Sequence, residues 1–165
     1  MKSKVHTRES QAKGFTLLEM VVVLILITIL VAWGVPNFQQ LKARRMVTDF
    51  SNEVLYSFTQ ARAEAIRYGT DVEVRPNGGS WQNGWTTIAI GVDGAANTTI
   101  AVQQAVDNRL IFVANGLVTG TMVFNSIGAL EDGIDRPFRL THDFNASISN
   151  IINVSPSGSA RVTKL

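Results

Sequence analysis

Residues 15–35 read FTLLEMVVVLILITILVAWGV, and no other stretch limits the possible folds of this chain so strongly. Glu19 is the only charged side chain in the run, and Thr16 and Thr28 are the other polar ones. As a helix, these 21 residues rise ~1.5 Å each and cover about 31 Å, the thickness of a bilayer's hydrocarbon core. A helix that is apolar on every side over such a length suits a membrane span better than the interior of a soluble domain.

The flanks set the orientation. The preceding arm, MKSKVHTRESQAKG, carries Lys2, Lys4, Arg8 and Lys13 against Glu9 alone, a net charge of +3. Excess positive charge keeps a short arm on the cytoplasmic side, so the bulk of the chain is expected to be exported. A secretory signal also pairs a basic start with an apolar stretch. Here the apolar run is too long for one, and the small residue, Gly14, precedes the run instead of following it.

Lys13-Gly14-Phe15-Thr16-Leu17-Leu18-Glu19 resembles the processing site of type IV prepilins and type II secretion pseudopilins. In that family a membrane peptidase cuts after the glycine and the new amino-terminal residue is N-methylated. The resemblance implies cleavage between Gly14 and Phe15, with Phe15 methylated and residues 1–14 removed as a leader. Glu19 then becomes the fifth mature residue, the family's acidic position, and Pro36 the twenty-second, where many type IV pilins carry proline.

The physics of Glu19 is independent of the family. A carboxylate in hydrocarbon costs ~2.5–3.5 kcal/mol on insertion scales, less near a helix end. Glu19 lies about 6 Å along the helix from Phe15, so it is expected to find a cation; the family's partner is the free amine of a neighbouring subunit's Phe15. Snorkelling of Glu19 to the interface is the alternative. Gly34 and Pro36 adjoin near the far end of the run, where a proline removes a backbone donor and clashes with the preceding turn. A kink or local melting is expected there, with a simple helix stop as the alternative.

Beyond Phe38, Val47, Phe50, Val54, Phe58, Ala61 and Ala65 recur at intervals of three and four, one face of an amphipathic helix, and Leu55 and Ile66 widen the stripe. Gly69 is positioned to end it. The expected organisation is a removable leader (1–14), a membrane or filament-core helix (15–36), its amphipathic continuation (37–68) and a β-rich head (69–165). Within the head, β-like runs at 70–75, 85–92, 98–103, 110–113, 121–125, 137–141, 147–154 and 160–163 alternate with turn residues such as Pro76-Asn77-Gly78-Gly79. The fold class is therefore α+β: a long N-terminal helix packed through its stripe on one antiparallel sheet.

Ala61-Arg62-Ala63-Glu64-Ala65-Ile66, Trp81-Gln82-Asn83-Gly84-Trp85, Phe124 with Gly128, and Val154-Ser155-Pro156-Ser157-Gly158 resemble, in that order, the GspH/FimT group of minor pilins and minor pseudopilins. Pro36-Asn37-Phe38 leans toward the pilus branch. Membership implies a structural subunit that sits in the bacterial inner membrane, with a cytoplasmic N-terminus and periplasmic head, before joining a pilus or pseudopilus. Its partners are the prepilin peptidase and other pilins or pseudopilins, met through the N-terminal helix.

Other chemistry is thinly supported. Cysteine is absent, which excludes disulfides and thiol chemistry. His142 is the one histidine outside the leader, and no nucleophile elbow, P-loop, GxGxxG or HExxH pattern accompanies it. No enzyme activity, cofactor or metal is therefore expected. Glu131-Asp132-Gly133-Ile134-Asp135 lacks the spaced ligand set of a calcium loop and reads as an acidic turn. Trp81 and Trp85 read as core aromatics before they read as a ligand platform. Lys42, Arg44 and Arg45 suit lipid headgroups or an acidic subunit, or else form a solvated face.

Some FimT-type proteins are DNA receptors that use a Gly-Arg-x-Arg motif near the carboxyl end. The matching stretch here, Gly158-Ser159-Ala160-Arg161, followed by Lys164, lacks the first arginine. Residues 46–165 hold eight Lys and Arg against eleven Asp and Glu, a net charge of −3, which is poor for binding phosphates. Arg161 and Lys164, joined in space by Arg136 and Arg139, remain the candidate DNA contacts. Three functions thus stay open: a minor pilin, a minor pseudopilin and a DNA receptor, beside an ordinary single-pass anchored protein.

Overall fold

A computed structural model describes residues 14–94, 96–115 and 120–165. Helix α1 (Leu17–Tyr68) is followed by eight strands: β1 (Val72–Pro76), β2 (Trp85–Ala89), β3 (Thr98–Gln103), β4 (Leu110–Ala114), β5 (Met122–Phe124), β6 (Arg136–His142), β7 (Asn145–Val154) and β8 (Ala160–Lys164). The chain divides into two compact units, one ending at Gln40 and the other Leu41–Leu165, with α1 contributing to both.

In the first unit every large apolar side chain from Phe15 to Val35 is exposed, by 42–83%. Thr28 disposes of its hydroxyl internally, donating to the carbonyl oxygen of Ile25 at 2.7 Å, as a helix surrounded by hydrocarbon requires. The backbone stays helical through Gly34 and Pro36, so there is no melted turn. Pro36 cannot donate to the oxygen of Ala32, and at the next residue Asn37 Nδ2 donates to the oxygen of Trp33 at 3.2 Å.

The second unit corrects one expectation: the strands form two four-stranded sheets, not one. The orders are β3-β2-β1-β5 and β4-β6-β7-β8, and each recorded pairing is antiparallel. Every expected β-run is a strand, to within three residues at either end. Alternation of side chains cannot say which strands share a sheet, and sheet membership rests on non-local pairing.

Both sheets use the same stripe of α1. Val47, Phe50, Val54, Phe58, Ala61 and Ala65 are buried as their spacing predicts, and Ala43 and Ser51 join them. Phe58 is the hub: its ring centroid lies 5.7 Å from Trp85 of β2, 6.0 Å from Trp81 and 5.2 Å from Phe138 of β6. Phe112 of β4 stacks on Phe138 at 5.4 Å and meets Phe50 edge-on at 5.7 Å. Trp81 and Trp85, 4% and 1% exposed, are core residues.

Several polar groups in this interior are paired with one another, whereas Arg136 Nε and Asn153 Oδ1 are buried without a hydrogen-bond partner among the described residues. Trp85 Nε1 donates to Ser57 Oγ at 2.8 Å. Gln82 ties its turn to β4, its Nε2 donating to the oxygen of Leu110 and its Oε1 accepting from the amide of Phe112, both at 2.8 Å. Asn150 Nδ2 on β7 donates to Ser51 Oγ at 2.9 Å, and that hydroxyl donates onward to the oxygen of Val47 at 2.6 Å.

Candidate functional site

Gly14 and Phe15, expected at the processing site, lie ahead of α1. Gly14, Phe15 and Thr16 are non-helical and exposed, so the Gly14–Phe15 bond lies outside the helix and is open to solvent. Helix begins at Leu17 because Thr16 caps it: its Oγ1 accepts the amide of Glu19 at 3.2 Å, and its carbonyl accepts that of Met20 at 3.2 Å. Thr16-Leu17-Leu18-Glu19 has the spacing of a capping box. Glu19 therefore sits in the first turn, where a negative charge complements the exposed amides of the helix start. The sequence signal for this cap is the threonine three residues before the glutamate.

The candidate DNA contacts do not gather. On β8, Arg161 pairs with Asn153 and Lys164 with Asn150. An odd spacing puts the two side chains on opposite faces of the strand. Arg161 shares the outer face with Arg139 of β6, an exposed residue that pairs with Ile151. Lys164 lies on the face that looks toward α1. Arg136 is 7% exposed and spends its guanidinium on the Asp132 carboxylate. The expected convergence of four cations thus reduces to Arg139 and Arg161.

The 131–135 segment is a turn closed by its own side chains. Asp132 accepts the amide of Ile134 at 3.1 Å and the guanidinium of Arg136. Burial works to raise the Asp132 carboxyl, but these two donors outweigh it and hold the group below the ordinary aspartate range. Asp107 is held lower still by its side-chain hydrogen bonds from Arg109, at 3.0 and 2.7 Å, and by the Arg109 amide. Among the described residues no three or more His, Asp or Glu side chains gather as they would around a metal ion. His142 is buried, with Nδ1 accepting the amide of Phe144 at 3.1 Å and lying 3.0 Å from an Asp143 oxygen.

Three of the motifs read in the sequence meet at one point. Arg62 Nε donates to the carbonyl oxygen of Gly128 at 3.0 Å. Gly158 packs on the same carbonyl, where a Cβ would fall 1.9 Å from the oxygen. Leu130 donates its amide to the oxygen of Pro156 at 2.8 Å, tying the two turns together.

Residues 51–158 match the profile of the family described as Type II transport protein GspH, and residues 10–35 match the prokaryotic N-terminal methylation motif. The chain belongs to the GspH family. Two fimbrial proteins of Pseudomonas aeruginosa are each 30% identical over 118 residues, covering 70% of this chain and 75% of theirs. Two crystal structures of the Pseudomonas aeruginosa type IV minor pilin FimU superpose with a TM-score of 0.59. They are 14% and 15% identical and cover 70% and 74% of this chain and 91% and 90% of theirs. The GspH-family chain is thus a type IV pilin-like protein with the minor-pilin fold. Its methylation motif and apolar helix fit a membrane-anchored pilin.

Proposed function

We propose that the protein is a minor type IV pilin, a structural, non-catalytic subunit that helps prime or cap pilus assembly. On this reading it waits in the inner membrane with residues 1–14 in the cytoplasm and the head in the periplasm. Prepilin peptidase cuts between Gly14 and Phe15, Phe15 is N-methylated, and the helix joins those of other pilins. Glu19 pairs with the free amine of a neighbour's Phe15 and sets register, while Gly34 and Pro36 bend the helix.

The observation that carries this reading is an apolar helix with no covering of its own and one carboxylate in its first turn, in the same chain as a GspH-type head. Replacing Glu19 by Ala is expected to abolish incorporation into filaments while membrane insertion persists. Unchanged incorporation would refute the pairing role. Mass spectrometry of the native amino terminus is expected to find methylated Phe15; a chain beginning at Met1 would refute processing.

The family's description favours a second reading, a minor pseudopilin of a type II secretion system. Deletion separates the two: loss of pili supports the first, and loss of protein secretion with pili intact supports the second. A third reading, a DNA receptor, now rests on Arg139 and Arg161 alone. A mobility shift abolished by replacing both would support it, and no shift at low salt would dispose of it.

A further inference from the structure

Two cations in the second unit stand without partners and face one cavity of about 270 Å³. Arg44 comes from α1 and Lys164 from the last position of β8. Neither makes an ion pair or hydrogen bond within the described chain, whereas Arg62, Arg67, Arg75, Arg109 and Arg136 all do. The walls add the hydroxyl of Thr48 on α1, also unbonded, over a floor that includes Val47, and the β7 segment 147–150 forms the side nearest β8. No Asp or Glu lines the cavity.

This placement has a sequence origin. Arg44 and Thr48 are four residues apart, hence on one helical face, beside the buried Val47. Lys164 opposes Asn150, whose amide is pinned to Ser51, so the register of β7 and β8 directs the lysine toward α1. Two like charges around a recess repel each other unless an anion lies between them. Leu165 also lines the cavity, its amide donating to the oxygen of Ser149 at 3.2 Å. An α-carboxylate there would still leave the walls net positive.

We propose that this cavity binds a polyol phosphate, the phosphate between Arg44 and Lys164 and a polyol hydroxyl against Thr48. The volume leaves room beside a phosphate for a small polyol. The same chemistry has two sources, the phosphoglycerol headgroup of an anionic lipid and a soluble sugar or glycerol phosphate. Arg44 follows Val35 by nine residues in the chain, which makes a bilayer one of them. The proposal does not depend on which filament the protein joins.

The test uses the full chain in phosphatidylcholine nanodiscs, with glycerol 3-phosphate titrated and its phosphorus NMR line followed. Saturable broadening is expected, weakened at least tenfold by Arg44→Gln with Lys164→Gln and unchanged by Arg139→Gln with Arg161→Gln. Lys164→Arg is expected to retain binding, which guards against misfolding as the cause of a loss. In phosphatidylglycerol nanodiscs, blocked binding identifies the headgroup as the source, and persistent binding identifies a soluble ligand. Absence of saturable binding in phosphatidylcholine, or binding indifferent to the Arg44 and Lys164 pair, overturns the proposal.

Discussion

Arg62 of α1 donates its Nε–H to the carbonyl oxygen of Gly128 at 3.0 Å, across 66 residues of sequence. That bond joins the helix to a turn whose own geometry is fixed by Asn125, which accepts the amides of Ile127 and Ala129 at 3.2 and 3.0 Å. A buried carbonyl left unpaired costs about 1–3 kcal/mol. The Arg62–Gly128 contact therefore sets where the 125–130 turn sits on α1.

Gly158 closes the same junction. Its φ is +78°, and a Cβ would lie 1.9 Å from the Gly128 oxygen. Gly69 has a similar φ, +64°, but open space around it. Gly158→Ala is expected to destabilise the head by about 3 kcal/mol or more, through clash added to strain. Gly69→Ala is expected to cost only about 1 kcal/mol. Thermal unfolding followed by near-ultraviolet circular dichroism checks the contrast; equal losses would refute the packing role of Gly158.

Ser51 and Asn150 are coupled through one hydroxyl. Ser51→Ala leaves the buried Asn150 amide without its acceptor and is expected to cost about 1–3 kcal/mol. The double replacement Ser51→Ala with Asn150→Ala is expected to cost less than the sum of the singles, because neither group is then left unpaired. Denaturant midpoints of the four proteins measure the coupling, and strict additivity would contradict it.

Acid is expected to weaken the head through Asp132. Its carboxyl is depressed in the folded state, so the unfolded chain binds the proton more readily. The contribution to stability is full above the unfolded aspartate value of ~3.9 and is lost as pH falls through the lower folded value. Asp132→Asn also leaves the buried guanidinium of Arg136 without its counter-charge. The variant is expected to be less stable than the parent at neutral pH, with the gap narrowing below about pH 4. Unfolding midpoints between neutral and strongly acid pH test this; a gap that widens in acid would show the sign to be wrong.

Thr16 and Glu19 separate two roles at the start of α1. Thr16→Val removes the cap, expected to cost about 1 kcal/mol of local helix stability, seen as faster amide exchange at Leu18–Met20. Glu19→Gln keeps a capping-box residue but removes the charge. It is expected to preserve that exchange protection and lose filament incorporation. Loss of incorporation in Thr16→Val alone would assign the effect to helix geometry instead.

The apolar run with its single acid, the stripe of α1 and the strand positions were legible because each is a local pattern: unbroken hydrophobicity, a three-four repeat, an alternation between turns. The sequence by itself therefore determined the long helix, the β-rich head and the resemblance to pilins. Other features appeared only when distant segments met. These were the division into two sheets, the choice of which strand faces look toward α1, and the meeting of Arg62, Gly128 and Gly158. Strand pairing and register decide the first two, since a shift of one residue would turn every side chain of a strand to its other face, and the docking of two turns on α1 decides the third. The cavity between Arg44 and Lys164 belongs to the same class, since 120 residues separate its two cations in the chain and only the pairing of β7 with β8 brings them to one opening.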